Sequence, residues 1–246
     1  MGLNIDKCKI MHIGKSNSLQ VYKMNTTTGL PNTLNTSCVE RDLGVTISSD
    51  LKWHNHTVYA ANKANRILGM LNKTFSHFNS ELLKILYTTF VRPHLEFAVA
   101  ACNPYTKGDI ERLEKVQHRA TRLVPSFRKI NYDKRLNILG ITTLEERRVR
   151  GDMIQTYKII NGIDEISWSS LHIMETRRDV PCTRGHGFKL TRELVKNCDQ
   201  RHYFFTNRIV NDWNDLPVAV VNAPSVNSFK ARFDNHMHPG KYPESI

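Results

Sequence analysis

Residues Asp109–Val124, DIERLEKVQHRATRLV, set the architecture expected of this chain. Ile110, Leu113, Val116, Ala120, Leu123 and Val124 fall on one face of a helix. Arg112, Lys115, Arg119 and Arg122, spaced 3, 4 and 3, share the opposite face. The acids Glu111 and Glu114 sit to one side of that stripe. A charge run is usually no more than a solvated face. Four cations of one sign on one stripe also fit the phosphates of a nucleic acid, and contact through this face is expected.

Outward from this helix the period stays helical on both sides. Upstream, Ala64, Leu68, Leu71 and Phe75 are spaced 4, 3 and 4. Ser80 is placed to cap a second helix with Leu82, Leu83, Leu86 and Phe90 on its apolar side, and Pro93 bends or stops it. Downstream, Thr143 with Glu146 forms a capping box for a helix that runs to about Asn161, with Gly162 as its stop. Periodicity is lost over 163–190, returns as helix over 201–216 up to Pro217, and fades into a Pro/Gly-rich tail from His236. The first 55 residues differ. Residues 7–13, KCKIMHI, alternate polar and apolar as a half-buried strand does. Asn25 to Ser37 reads as turns, and Leu43, Val45 and Ile47 alternate again. The expected regions are 1–55, 56–130 and 131–246.

The charge follows these regions. Thirty-five Lys and Arg against 23 Asp and Glu give +12, a balance that favours a polyanionic partner. The three regions carry net charges of +2, +7 and +3, so more than half the excess lies in the middle one. The longest apolar run, Phe97 to Cys102, is far short of the roughly 20 residues of a membrane span. The N-terminus has no uninterrupted apolar core for a signal peptide, and Asp6 stands where a myristoylation motif needs Ser or Thr. With five cysteines and no signal, an intracellular setting, nuclear or cytoplasmic, is expected, with free thiols and chance glycosylation sequons at Asn25, Asn35, Asn55 and Asn72. Arg150-Gly151-Asp152 spells an adhesion tripeptide, but it lies inside the capping-box helix and reads as coincidence. Cys182-x3-His186 and Cys198-x3-His202, with 11 residues between the pairs, match no standard zinc-finger spacing, so no metal is expected there. No phosphate-binding Gly-rich loop, HExxH or GxSxG occurs, and no catalytic residue is assigned.

Several blocks carry a resemblance. Asn4-x-x-Lys7-Cys8-Lys9-x-Met11-His12-x-Gly14 resembles the stretch after the catalytic YxDD motif of non-LTR (LINE-type) retrotransposon reverse transcriptases, with the jockey and chicken-repeat elements the nearest in look. Glu40-Arg41-Asp42-Leu43-Gly44-Val45 with Asp50-Leu51-Lys52 is similar to their palm-to-thumb segment, and Val91 to Ala98, VRPHLEFA, to a thumb signature. Asp109-Ile110 with Leu113 to Gln117 and Arg119-Ala120-Thr121 resembles the next block. Tyr132-x-x-Arg135-Leu136, Leu144 to Asp152, Arg184-Gly185-His186, Trp213-Asn214-x-Leu216-Pro217 and Ser228-Phe229-Lys230 follow in the family's order.

The resemblance implies an α+β fold: a small β remnant of a polymerase palm, then a mainly helical thumb and C-terminal region. It implies template–primer binding, with Arg112, Lys115, Arg119 and Arg122 on phosphates. Lys7 matches a palm lysine that lies near the leaving pyrophosphate in related polymerases. Such polymerases use Mg²⁺ held by palm carboxylates, and this chain begins after those carboxylates, so no cofactor is expected and no polymerase activity. The implied partners are nucleic acid, as RNA/DNA hybrid or duplex, and the palm and fingers of an intact protein, with no membrane. Three origins stay open: a truncated, catalytically inactive remnant, a stand-alone nucleic-acid-binding protein retained by a host, and an incomplete gene model.

Overall fold

The computed structural model describes residues 4–14, 16–25, 29–166 and 185–239. The chain divides into two compact units, and their borders differ from the sequence boundaries at 55 and 130. The first unit comprises 1–95 with 104–123, and the second 96–103 with 124–246. Helix predominates and the sheets are small, so the architecture is α+β. Among the described residues no helix is long and apolar enough to cross a membrane.

Among the described residues of the first unit the β region forms three separate two-stranded sheets. β1 (Lys9–Ile10) pairs parallel with β4 (Asn35–Thr36), and β2 (Lys23–Asn25) pairs antiparallel with β3 (Pro31–Thr33). The strand expected over 7–13 is only two residues long, and among the described residues β4 alone pairs with it. β5 (Val39–Asp42) and β6 (Val45–Ser48) form a hairpin with Val39 opposite Ser48. Leu43 is not a strand residue as its alternation suggested. With Gly44 it makes the turn, both at positive φ (46° and 85°), the mirror-image geometry that matches strand twist, and its side chain is exposed.

α1 (His54–Thr74) buries Thr57, Ala60, Ala61, Ala64, Leu68 and Leu71. It is tied to β6 by the Thr46 N–H donating to His56 Nδ1 at 3.2 Å and by Asn55 Nδ2 donating to Ser48 Oγ at 2.9 Å. α2 (Ser80–Leu86) begins one residue past its cap. Asn79, not Ser80, accepts from the Leu82 N–H at 2.8 Å. A π turn over Tyr87–Val91 leads into α3 (Arg92–Leu95), with the Arg92 N–H donating to the Tyr87 carbonyl. Pro93 supplies the physical cause: its ring cannot sit against the carbonyl four residues back, and a wider turn relieves the clash. The extra residue rotates the apolar face, so Tyr87 and Val91 are buried while Phe90, expected inside, is 49% exposed. Pro93 thus bends the helix without ending it.

α4 (Lys107–Thr121) starts two residues earlier and ends three earlier than its sequence pattern, because Thr106 caps it and Arg122 closes it. Leu113, Val116 and Ala120 are buried as expected. Burying each of the two larger side chains contributes roughly 1.5–3 kcal/mol.

In the second unit α5 (Tyr132–Leu139) runs into Gly140 at φ 58°, the left-handed C-cap that glycine tolerates. α6 (Leu144–Ile160) opens with the expected Thr143–Glu146 capping box and ends near Gly162. The helix expected over 201–216 is broken into α7 (Asp199–His202), α8 (Phe205–Arg208) and α9 (Val210–Asn214). α10 (Val218–Val221) and α11 (Val226–Met237) complete the unit. Trp213 and Phe229, both fully buried, centre a core in which Phe229 stacks on Tyr157 at 4.5 Å and lies 6.1 Å from Trp213. Two blocks of the sequence resemblance meet here. His186 packs edge-on to Trp213, and the Asn214 amide bridges the Leu190 backbone, donating to its carbonyl at 2.9 Å and accepting from its N–H at 2.8 Å.

Candidate nucleic-acid interface

The geometry of α4 is set at its first turn. Thr106 Oγ1 accepts from the Asp109 N–H at 3.4 Å and donates to Asp109 Oδ2 at 2.7 Å. His54 Nδ1 lies 2.8 Å from Asp109 Oδ1. Asp109 is buried and fully used as a clamp between the starts of α1 and α4. Halfway along, the buried Tyr87 hydroxyl donates to Gln117 Oε1 at 2.5 Å. These contacts fix the rotation of α4 and hence the direction of its basic face.

Arg112, Lys115, Arg119 and Arg122 are all exposed, while Leu113, Val116 and Ala120 of the same helix are buried. From the first cation to the last the face spans about 15 Å at about 1.5 Å per residue. That is about four steps of a nucleic-acid strand at roughly 3.4 Å each. The acids do reach the stripe: Glu111 lies 3.7 Å from Lys115 on the same helix. Such an exposed pair is worth under about 1 kcal/mol and yields readily to a phosphate. Arg119 NH1 donates to Asn65 Oδ1 of α1 at 3.0 Å, a partner that no local pattern around α4 announces. Arg119 and Arg122 have a second reason to be where they are, since cations favour a helix C-terminus. Lys115 has one in its pair with Glu111, and Arg112, in the helix middle, has neither.

Among the described residues no contact brings the other sequence candidates to this face. Lys7 ends a short 3-10 turn, Ile5–Lys7, and is exposed, while its neighbour Lys9 pairs with Glu40 at 2.7 Å. Cys182 lies outside the described residues. His186 is buried with both ring nitrogens engaged, Nε2 to the Trp213 carbonyl at 3.1 Å and Nδ1 accepting from the Phe188 N–H at 3.3 Å. His202 Nε2 lies 2.8 Å from Arg192 NH2, and Cys198 is an exposed free thiol. Burial pushes the Cys102 thiol up to about 12, which withholds a thiolate at neutral pH. Among the described residues no three His, Cys, Asp or Glu side chains converge as metal ligands.

The Arg-Gly-Asp segment is consumed by structure. Arg150 pairs with Asp234 at 2.6 Å and Asp152 with Arg208 at 2.8 Å, both within the second unit. Compared with protein-family models, with curated proteins and with solved structures, the chain matches none.

Proposed function

We propose that the first unit binds nucleic acid through the exposed face of α4, as the template–primer-binding part of a retrotransposon-type reverse transcriptase. One observation carries the reading: four cations stand exposed on one face of a helix whose opposite face is held in the core. Phosphate contacts position a strand without reading its bases, so sequence preference is weak. The surface serves equally inside a polymerase or in a stand-alone binding protein.

The test is duplex affinity across a salt series. Contact by three of the cations contributes about −2.7 to the log–log slope. A Lys115→Ala, Arg119→Ala, Arg122→Ala variant weakens binding for all sequences and flattens the slope by that amount. Lys23→Ala, Lys134→Ala, Lys196→Ala, which neutralises three exposed cations elsewhere, is the control. Equal losses from the two variants overturn the assignment to α4.

A further inference from the structure

α1 and α4 are parallel and in register. His54 of α1 meets Asp109 of α4 at 2.8 Å, and Asn65 meets Arg119 at 3.0 Å. On this register Asn62 is level with Val116 and Gln117, and Gly69 with Leu123. The Asn65 contact also shows which flank of α1 borders the basic face. Asn62, Asn65, Gly69 and Asn72, spaced 3, 4 and 3, share that flank. Asn62, Gly69 and Asn72 are exposed and Asn65 is half-buried. Nothing lies within 4 Å of the position a Cβ on Gly69 would take, so the flank is open to an approaching chain.

The two rows differ in chemistry. Guanidinium and ammonium groups only donate, as phosphate oxygens require. A carboxamide both donates and accepts, as sugar hydroxyls and base edges require. Asn65 Oδ1 already accepts from Arg119, which holds that guanidinium beside α1 and leaves the Asn65 amide N–H groups as donors. We infer that α1 forms the second wall of the nucleic-acid site, with the Asn62, Asn65 and Asn72 amides hydrogen-bonding the sugar and base-edge side of the strand whose phosphates lie on α4. This rests on the α4 reading above and extends it to a second helix. From the level of Arg112 to that of Asn72 the two walls span about 21 Å at about 1.5 Å per residue. A contact of that length covers about six nucleotide steps.

The walls are separable by salt. Neutral amides displace no condensed counterions, so removing them lowers affinity without touching the slope, whereas removing cations changes both. An Asn62→Ala, Asn72→Ala variant keeps the Asn65 contact that orients Arg119 and is compatible with folding, since alanine is the better helix former at each position. Fluorescence anisotropy with a labelled duplex is expected to show affinity about ten- to a hundredfold lower at every salt, with an unchanged slope. Gly69→Leu, which fills the open space with an uncharged side chain, gives a loss of affinity with the same unchanged slope. Unchanged affinity in both α1 variants, while the α4 triple variant loses affinity and slope, overturns the second wall and leaves the phosphate reading standing. Unchanged binding in the α4 variant as well removes both.

Discussion

The Arg208–Asp152 pair offers the sharpest test of how the second unit is held. Arg208 Nε and NH2 meet the two Asp152 oxygens at 2.8 Å each. The same NH2 also donates to the Val99 and Ala100 carbonyls at 3.0 and 3.1 Å, and Asn103 donates to Asp152 at 3.3 Å. The side chains are 11% and 5% exposed. Asp152→Ala strands a guanidinium charge that keeps the Tyr203, Val99 and Ala100 carbonyls and the face of the Phe205 ring but loses its carboxylate. Breaking a buried pair in this way costs about 3–5 kcal/mol, which takes up much of a domain stability of about 5–15 kcal/mol. Urea denaturation followed by circular dichroism measures the loss, with Lys115→Ala as the exposed-pair control at under about 1 kcal/mol. Asp152→Leu combined with Arg208→Met removes both charges and recovers most of the stability, because the penalty belongs to the unpaired charge rather than to the missing bond. A loss below about 1 kcal/mol for Asp152→Ala would refute the reasoning, by showing the pair to be as solvated as a surface one.

Two further outcomes follow from the same physics. Burial holds the His186 imidazole below its ordinary 6.5, so the unfolded chain takes up a proton near that value while the folded chain does not. Stability therefore falls as pH is lowered through the ordinary histidine value of 6.5, and in His186→Gln this component of the slope is lost; an unaltered pH profile contradicts it. Amide exchange is expected to be fast through the strands between Lys9 and Ser48, each two to four residues long in a two-stranded sheet, and slow in α1 and α4. Equal protection in the two regions would mean that the strands are stabilised by something other than their own pairing.

Where structure is written in nearest neighbours, the chain could be read directly. The α4 wheel placed Leu113, Val116 and Ala120 inward and all four cations outward, and the Thr143–Glu146 capping box formed as spaced. Both depend on residues three or four apart, which a helix brings together whatever else the chain does. Other features depend on partners far along the chain. Phe90 carried the right spacing for the core and lies outside it, because the π turn before Pro93 rotates the face. Leu43 continued an alternation and became a turn. Arg150 and Asp152 spelled a surface tripeptide and were drawn into ion pairs with Asp234 and Arg208, 84 and 56 residues away. Asn65 had no local mark of a partner and found one in Arg119, 54 residues downstream. Periodicity fixes which face of a helix is apolar, since it is set by the geometry of a single turn. Which helix lies beside that face, and so which side chains complete a site, is fixed by long-range packing, whose partners no short window of sequence contains.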